Sequence, residues 1–113
     1  TLADLDLDPE RVALGETIFN NGAEAAPNCV ACHVSSGEDS ALAPALIGQW
    51  DRLASRDSAL SVREYVRQSV LRPNETVAEG YNAGVMYQDY AVNLTEEQIN
   101  AVVEYTLSIA AAD

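Results

Sequence analysis

The two cysteines of this 113-residue chain lie three positions apart and its only histidine follows at once, in Asn28-Cys29-Val30-Ala31-Cys32-His33. Two thiols at that spacing can each form a thioether to one vinyl group of a porphyrin, and the next residue then projects its imidazole at the iron. The pattern therefore predicts one covalently attached c-type haem. Three other chemistries compete for it: a thioredoxin-like redox pair, part of a zinc site and a short disulfide. A zinc site takes about four ligands, and Cys29, Cys32 and His33 exhaust the cysteine and histidine of the chain, so two carboxylates would have to be recruited. A thioredoxin-like dithiol follows a buried strand in a βαβ pattern, whereas Gly22-Ala23-Glu24-Ala25-Ala26-Pro27 precedes this one.

The elements that must position this motif are helical. Asp8-Pro9-Glu10 opens a helix, with Asp8 as cap, Pro9 at the first helical position and Leu7 stapled to Val12. It is expected to run to Asn20 or Asn21, where Gly22 stops it, with Val12, Gly15, Ile18 and Phe19 inward. A glycine in mid-helix costs about 1 kcal/mol against alanine, so Gly15 predicts close approach by another element. Ser35 to Ala43 is a polar loop, and Ala43-Pro44-Ala45-Leu46-Ile47-Gly48-Gln49-Trp50 is too broken for a long helix. Ser61-Val62-Arg63-Glu64 is a capping box that starts a helix through Tyr65, Val66 and Val70 to Arg72, which precedes Pro73. Residues 73–94 are expected to be irregular, and a loop of about 20 residues in a compact domain is unusual unless functional. Thr95 with Gln98 caps the last helix, whose stripe is Ile99, Val102, Val103, Thr106 and Leu107, with Leu94 stapled to Ile99. One domain, residues 9–113, follows a lead-in or tether at 1–8.

This order of elements resembles the class I cytochrome c family over nearly the whole chain, from Asp8 to Ile109. Gly15 and Phe19, Pro44, Leu46 and Gly48, Met86 and Tyr105 stand where the family's pattern has them. Tyr65-Val66-Arg67-Gln68-Ser69-Val70-Leu71-Arg72-Pro73-Asn74, followed by Glu79-Gly80-Tyr81 and Met86, is similar to the cytochrome c domain fused to subunit II of bacterial haem-copper oxidases, and also to small carrier cytochromes. The resemblance implies an all-α fold of about four to five short helices around one haem c. It makes His33 the proximal iron ligand, Met86 the opposite one, and the Pro44 carbonyl the acceptor of the second imidazole proton. Gly15 would face Tyr105 where first and last helices cross. Family members usually carry Pro directly after this Met, whereas here the run is Met86-Tyr87-Gln88-Asp89-Tyr90, so either packing of Tyr81, Tyr87 and Tyr90 holds the sulfur or the sulfur is easier to displace, the tyrosines then being plain loop anchors. Trp50 through its indole N–H, Arg52 and, more weakly, Tyr65 are the candidates to meet the buried propionates.

With both axial positions filled, the expected function is one-electron transfer as a carrier or relay in a respiratory or photosynthetic chain, without catalysis. The alternative, a haem enzyme or gas sensor, needs an open iron position and a distal acid, base or donor, and no second histidine exists for that work. A cytochrome of the four-helix-bundle type carries its haem motif near the C-terminus, whereas about 80 residues follow it here.

Eighteen acidic residues against six basic give a formal net charge of −12, which argues against nucleic acid or anionic lipid as partner. The implied partner is a basic docking surface on a membrane oxidase or reductase. All six basic residues are Arg (Arg11, Arg52, Arg56, Arg63, Arg67, Arg72), and without Lys no side-chain amine can displace a ligand from iron. Haem attachment to paired thiols implies the periplasmic or outward-facing side of the cytoplasmic membrane. A chain that starts at Thr1 is expected to be a processed form or an excised domain, with a membrane tether conceivable outside it.

Overall fold

The computed structural model describes residues 7–23, 46, 48–56, 59–73 and 89–111. Among these are five helices: α1 (Pro9–Asn21), α2 (Trp50–Arg56), α3 (Val62–Leu71), α4 (Tyr90–Asn93) and α5 (Glu96–Ala110). The fold is all-α, as expected.

Local chemistry sets the ends of the three longer helices. The Glu10 backbone N–H donates to Asp8 Oδ1 at 2.9 Å, which satisfies one of the free donors of the first turn of α1. At its other end Gly22 takes φ 76°, a left-handed value that suits glycine, and its N–H donates to the Ile18 carbonyl. Both predicted capping boxes close, Ser61 with Glu64 on α3 and Thr95 with Gln98 on α5. α3 ends at Leu71 because Arg72, held non-helical by the following Pro73, cannot continue it.

The core is built on α5, which packs against both α1 and α3. Ile99, Val102, Val103, Thr106 and Leu107 are buried as the stripe predicts, and so are Ala101, Glu104 and Ala110 on a second side of the helix. The Thr106 hydroxyl is satisfied in place by donating to the Val102 carbonyl at 2.8 Å. α1 contributes Gly15, Ile18 and Phe19, while Val12 is only half-buried. α3 contributes Val62, Tyr65, Val66 and Val70.

Two of the four to five short helices expected fall where no local signal placed them. α2 forms directly after the broken 43–50 segment, and a single turn, α4, closes the stretch at 73–94 expected to be irregular. α4 is kept by burial and not by its cap: Asp89 makes no side-chain cap bond, whereas Tyr90 and Leu94 are both buried. Gly48, with φ 70°, donates its N–H to the Ile109 carbonyl at 2.9 Å and so ties the approach to α2 onto the end of α5.

Candidate haem site

The segment that carries Cys29, Cys32 and His33 follows α1 in the chain, and α1 is held by its crossing with α5. That crossing is close. A Cβ on Gly15 would collide with the Ala101 carbonyl and lie 2.7 Å from Tyr105 Cβ, so only glycine fits. Tyr105 then lies over the next turn of α1, its ring edge-on to Phe19 with centroids 5.3 Å apart and planes at 61°. The predicted meeting of Gly15 with Tyr105 is thus present. Burial, and secondarily the Glu16 carboxylate, pushes the Tyr105 phenol above its ordinary pKa.

The start of α1 is fastened by a residue that the helical stripe of α5 did not single out. Glu104 is 3% exposed, and its Oε1 accepts the Asp8 backbone N–H at 2.8 Å. Its Oε2 accepts Arg11 Nη1 at 3.2 Å. A carboxylate so buried requires partners, and the positive end of a helix together with a guanidinium supplies them. Leu7, immediately before, packs against the core.

Three predicted site residues lie on the described helices. Trp50, the first residue of α2, is half-buried and packs against the core cluster. Arg52 lies on the exposed side of α2, where Nη1 donates to Gln49 Oε1 at 3.1 Å. Tyr65 is buried on α3. α2 and α3 pack together, and Trp50 and Tyr65 both join the same core, whereas Arg52 faces outward. Cys29, Cys32, His33, Pro44, Tyr81 and Met86 lie outside the described residues, as do Tyr87 and the polar loop from Ser35 to Ala43.

The donor set fits a haem c. Two thiols and a directly following imidazole sit between α1 and α2, and one thioether sits between α3 and α4. Among the described residues no group of His, Cys, Asp and Glu could hold a metal ion; the candidate donors belong to those two connecting segments of the sequence. Both are anchored by helices that build one core, α1 and α3 against α5 and α4 against α3.

The protein-family model for cytochrome c matches residues 12–110. The chain belongs to the cytochrome c family. Its cofactor is covalently bound haem c, and domains of this family are generally electron carriers and not enzymes. A search of curated proteins finds no match.

Proposed function

We propose that the protein transfers single electrons through a six-coordinate haem c, attached through Cys29 and Cys32 and ligated by His33 and Met86. The observation that carries this is the family match over residues 12–110 combined with a donor inventory of one histidine and one methionine. When bound, the haem supplies an iron that alternates between ferric and ferrous states. A thioether ligand favours the ferrous ion and raises the potential. The chain's own work is to hold position: Cys29 and Cys32 would fix the macrocycle, the Pro44 carbonyl would orient the imidazole of His33 by accepting a hydrogen bond from its other N–H, and Trp50 and Tyr65, which join the core cluster, would line it. Tyr81 belongs to the packing that keeps Met86 in place.

The domain works on the outward-facing, periplasmic side of the membrane, as a carrier or as a relay domain of the kind fused to oxidase subunit II. Among the described residues no helix is long and apolar enough to cross a membrane. Its partner presents a basic surface, since a net charge of −12 would repel an acidic one.

Reversible voltammetry together with carbon monoxide binding tests the proposal. A carrier with both axial positions filled gives one reversible one-electron wave and leaves carbon monoxide unbound in the ferrous state. Rapid carbon monoxide binding at neutral pH would favour an open-position enzyme or sensor instead. Electron delivery to an isolated membrane oxidase should slow as salt rises through about 0.1 M, where the screening length is about 10 Å. A rate indifferent to salt would point to tethered delivery within one complex.

A further inference from the structure

Glu104 is a buried titratable group that electron transfer does not use. Its partners are unusual in that all lie at one end of one helix: the Asp8 backbone N–H and the Arg11 guanidinium. Backbone N–H groups in the body of a helix are already bonded to carbonyls four residues back; only those at its start are free. A carboxylate projecting from α5 toward α1 can therefore be satisfied at the first turn of α1 and nowhere else along it. Sliding α1 by one turn, about 5.4 Å, would carry Arg11 and the free amide away. Glu104 would then face the closed backbone around Val12 and Gly15 as a buried, unpaired charge, at heavy cost.

From this we infer that Glu104 is a register pin, a positioning residue that selects one axial placement of α1 on α5. Burying an ion pair is weak as a source of stability, because desolvation offsets most of the attraction, but it discriminates strongly against arrangements that leave the charge unpaired. The placement matters for the site because α1 is the helix that the segment of Cys29, Cys32 and His33 follows in the chain. Gly15 at the Ala101 carbonyl supplies a steric constraint on the same crossing. Gly15 rejects placements that bring a Cβ against that carbonyl; Glu104 rejects those that leave its carboxylate without donors.

The decisive variant replaces both members of the pair, Arg11→Leu with Glu104→Leu, in the haem-loaded protein. Only the Glu104 end of the pair is buried, Arg11 being half-exposed, so Leu at 104 removes the buried charge and the double variant should stay folded, with a midpoint lowered by the Asp8 N–H left without its acceptor. The ferric proton NMR spectrum, in which haem methyl groups report the placement of everything packed around them, should show more than one set of methyl resonances. Glu104→Gln, whose amide oxygen still accepts the Asp8 N–H, should keep a single set. A single set in the double variant, identical to the parent's, would overturn the inference and leave Gly15 sufficient. Should the double variant not fold, hydrogen exchange in the parent and in Glu104→Gln decides. The Asp8 amide should exchange about ten-fold or more slowly than a free amide in both, and exchange at the free rate in the parent would overturn the assignment.

Discussion

The two sides of α5 carry the same kind of ion pair in different settings. On the α1 side, Arg11 meets Glu104, whose side chain is 4% exposed. On the α3 side, Arg67 donates to Glu96, whose side chain is 67% exposed, and also to Asn100 Oδ1 at 2.8 Å. Water can replace either partner on the α3 side. It cannot reach the Glu104 carboxylate, so only that pair dictates where its partner helix sits. The difference teaches that the α1–α5 crossing is specified by groups with no alternative partner, Gly15 against backbone and Glu104 against a helix start. The α3 contact rests on apolar burial, with its polar links added at the rim.

The harshest way to break this comparison is to remove the haem attachment. Cys29→Ala with Cys32→Ala should yield protein without covalent haem and largely unfolded, because helices this short do not fill a core alone. Far-ultraviolet circular dichroism and the pyridine haemochrome spectrum check it; a compact helical haem-free protein would show that the α5 packing stands without the cofactor. Next in size is Gly15→Val, which drives methyl groups into the Ala101 carbonyl and should cost about 3 kcal/mol or more in denaturant unfolding.

A pair of arginine truncations sharpens the contrast itself. Arg11→Ala leaves the Glu104 carboxylate buried with the Asp8 amide as its remaining donor, an expected loss of about 2–3 kcal/mol. Arg67→Ala leaves Glu96 in water and should cost under about 1 kcal/mol. Equal losses would erase the distinction between the two sides.

The smallest effect is one of pH. Tyr105 has its folded pKa raised by burial and by Glu16, so the folded state holds the proton more tightly than the unfolded chain. Its contribution is complete below the ordinary tyrosine value, about pH 10, and is lost as pH rises through the raised value. Glu64 works in the opposite sense at the acid end. The Ser61 backbone and hydroxyl lower its pKa, so its capping contribution is present above the ordinary glutamate range and fades as pH falls through the lowered value. Stability of Tyr105→Phe should fall less steeply above about pH 10 than the parent's, and Glu64→Gln, which removes the titrating group, should flatten the acid side.

Much of this architecture was legible residue by residue where the signal is local. Asp8-Pro9, Ser61 with Glu64 and Thr95 with Gln98 are cap chemistries whose partners lie within four positions, and each closes as predicted. Gly15 was legible because a glycine in mid-helix needs a reason. α4 was not, since Asp89 makes no cap bond and the turn exists only because Tyr90 and Leu94 are buried by distant residues. α2 follows Pro and Gly punctuation and has a single acidic residue in its first turn as its only local signal. Glu104 escaped because a single-stripe reading gives a helix one buried side, and α5 is covered on two. Glu104, directly after the apolar Val102-Val103, held the one available hint, a charge where the stripe widens. The haem motif was legible without any fold, because the macrocycle dictates its spacing and not the protein.

Electron transfer through an occupied iron depends on the sixth ligand. Near-infrared absorption of the ferric protein at neutral pH tests it directly, with Met86→Ala as the control. The parent should show a methionine-to-ferric charge-transfer band near the red edge, and Met86→Ala should lose it, with carbon monoxide then binding the ferrous variant. A parent without the band, or a band that survives in Met86→Ala, would contradict ligation by His33 and Met86.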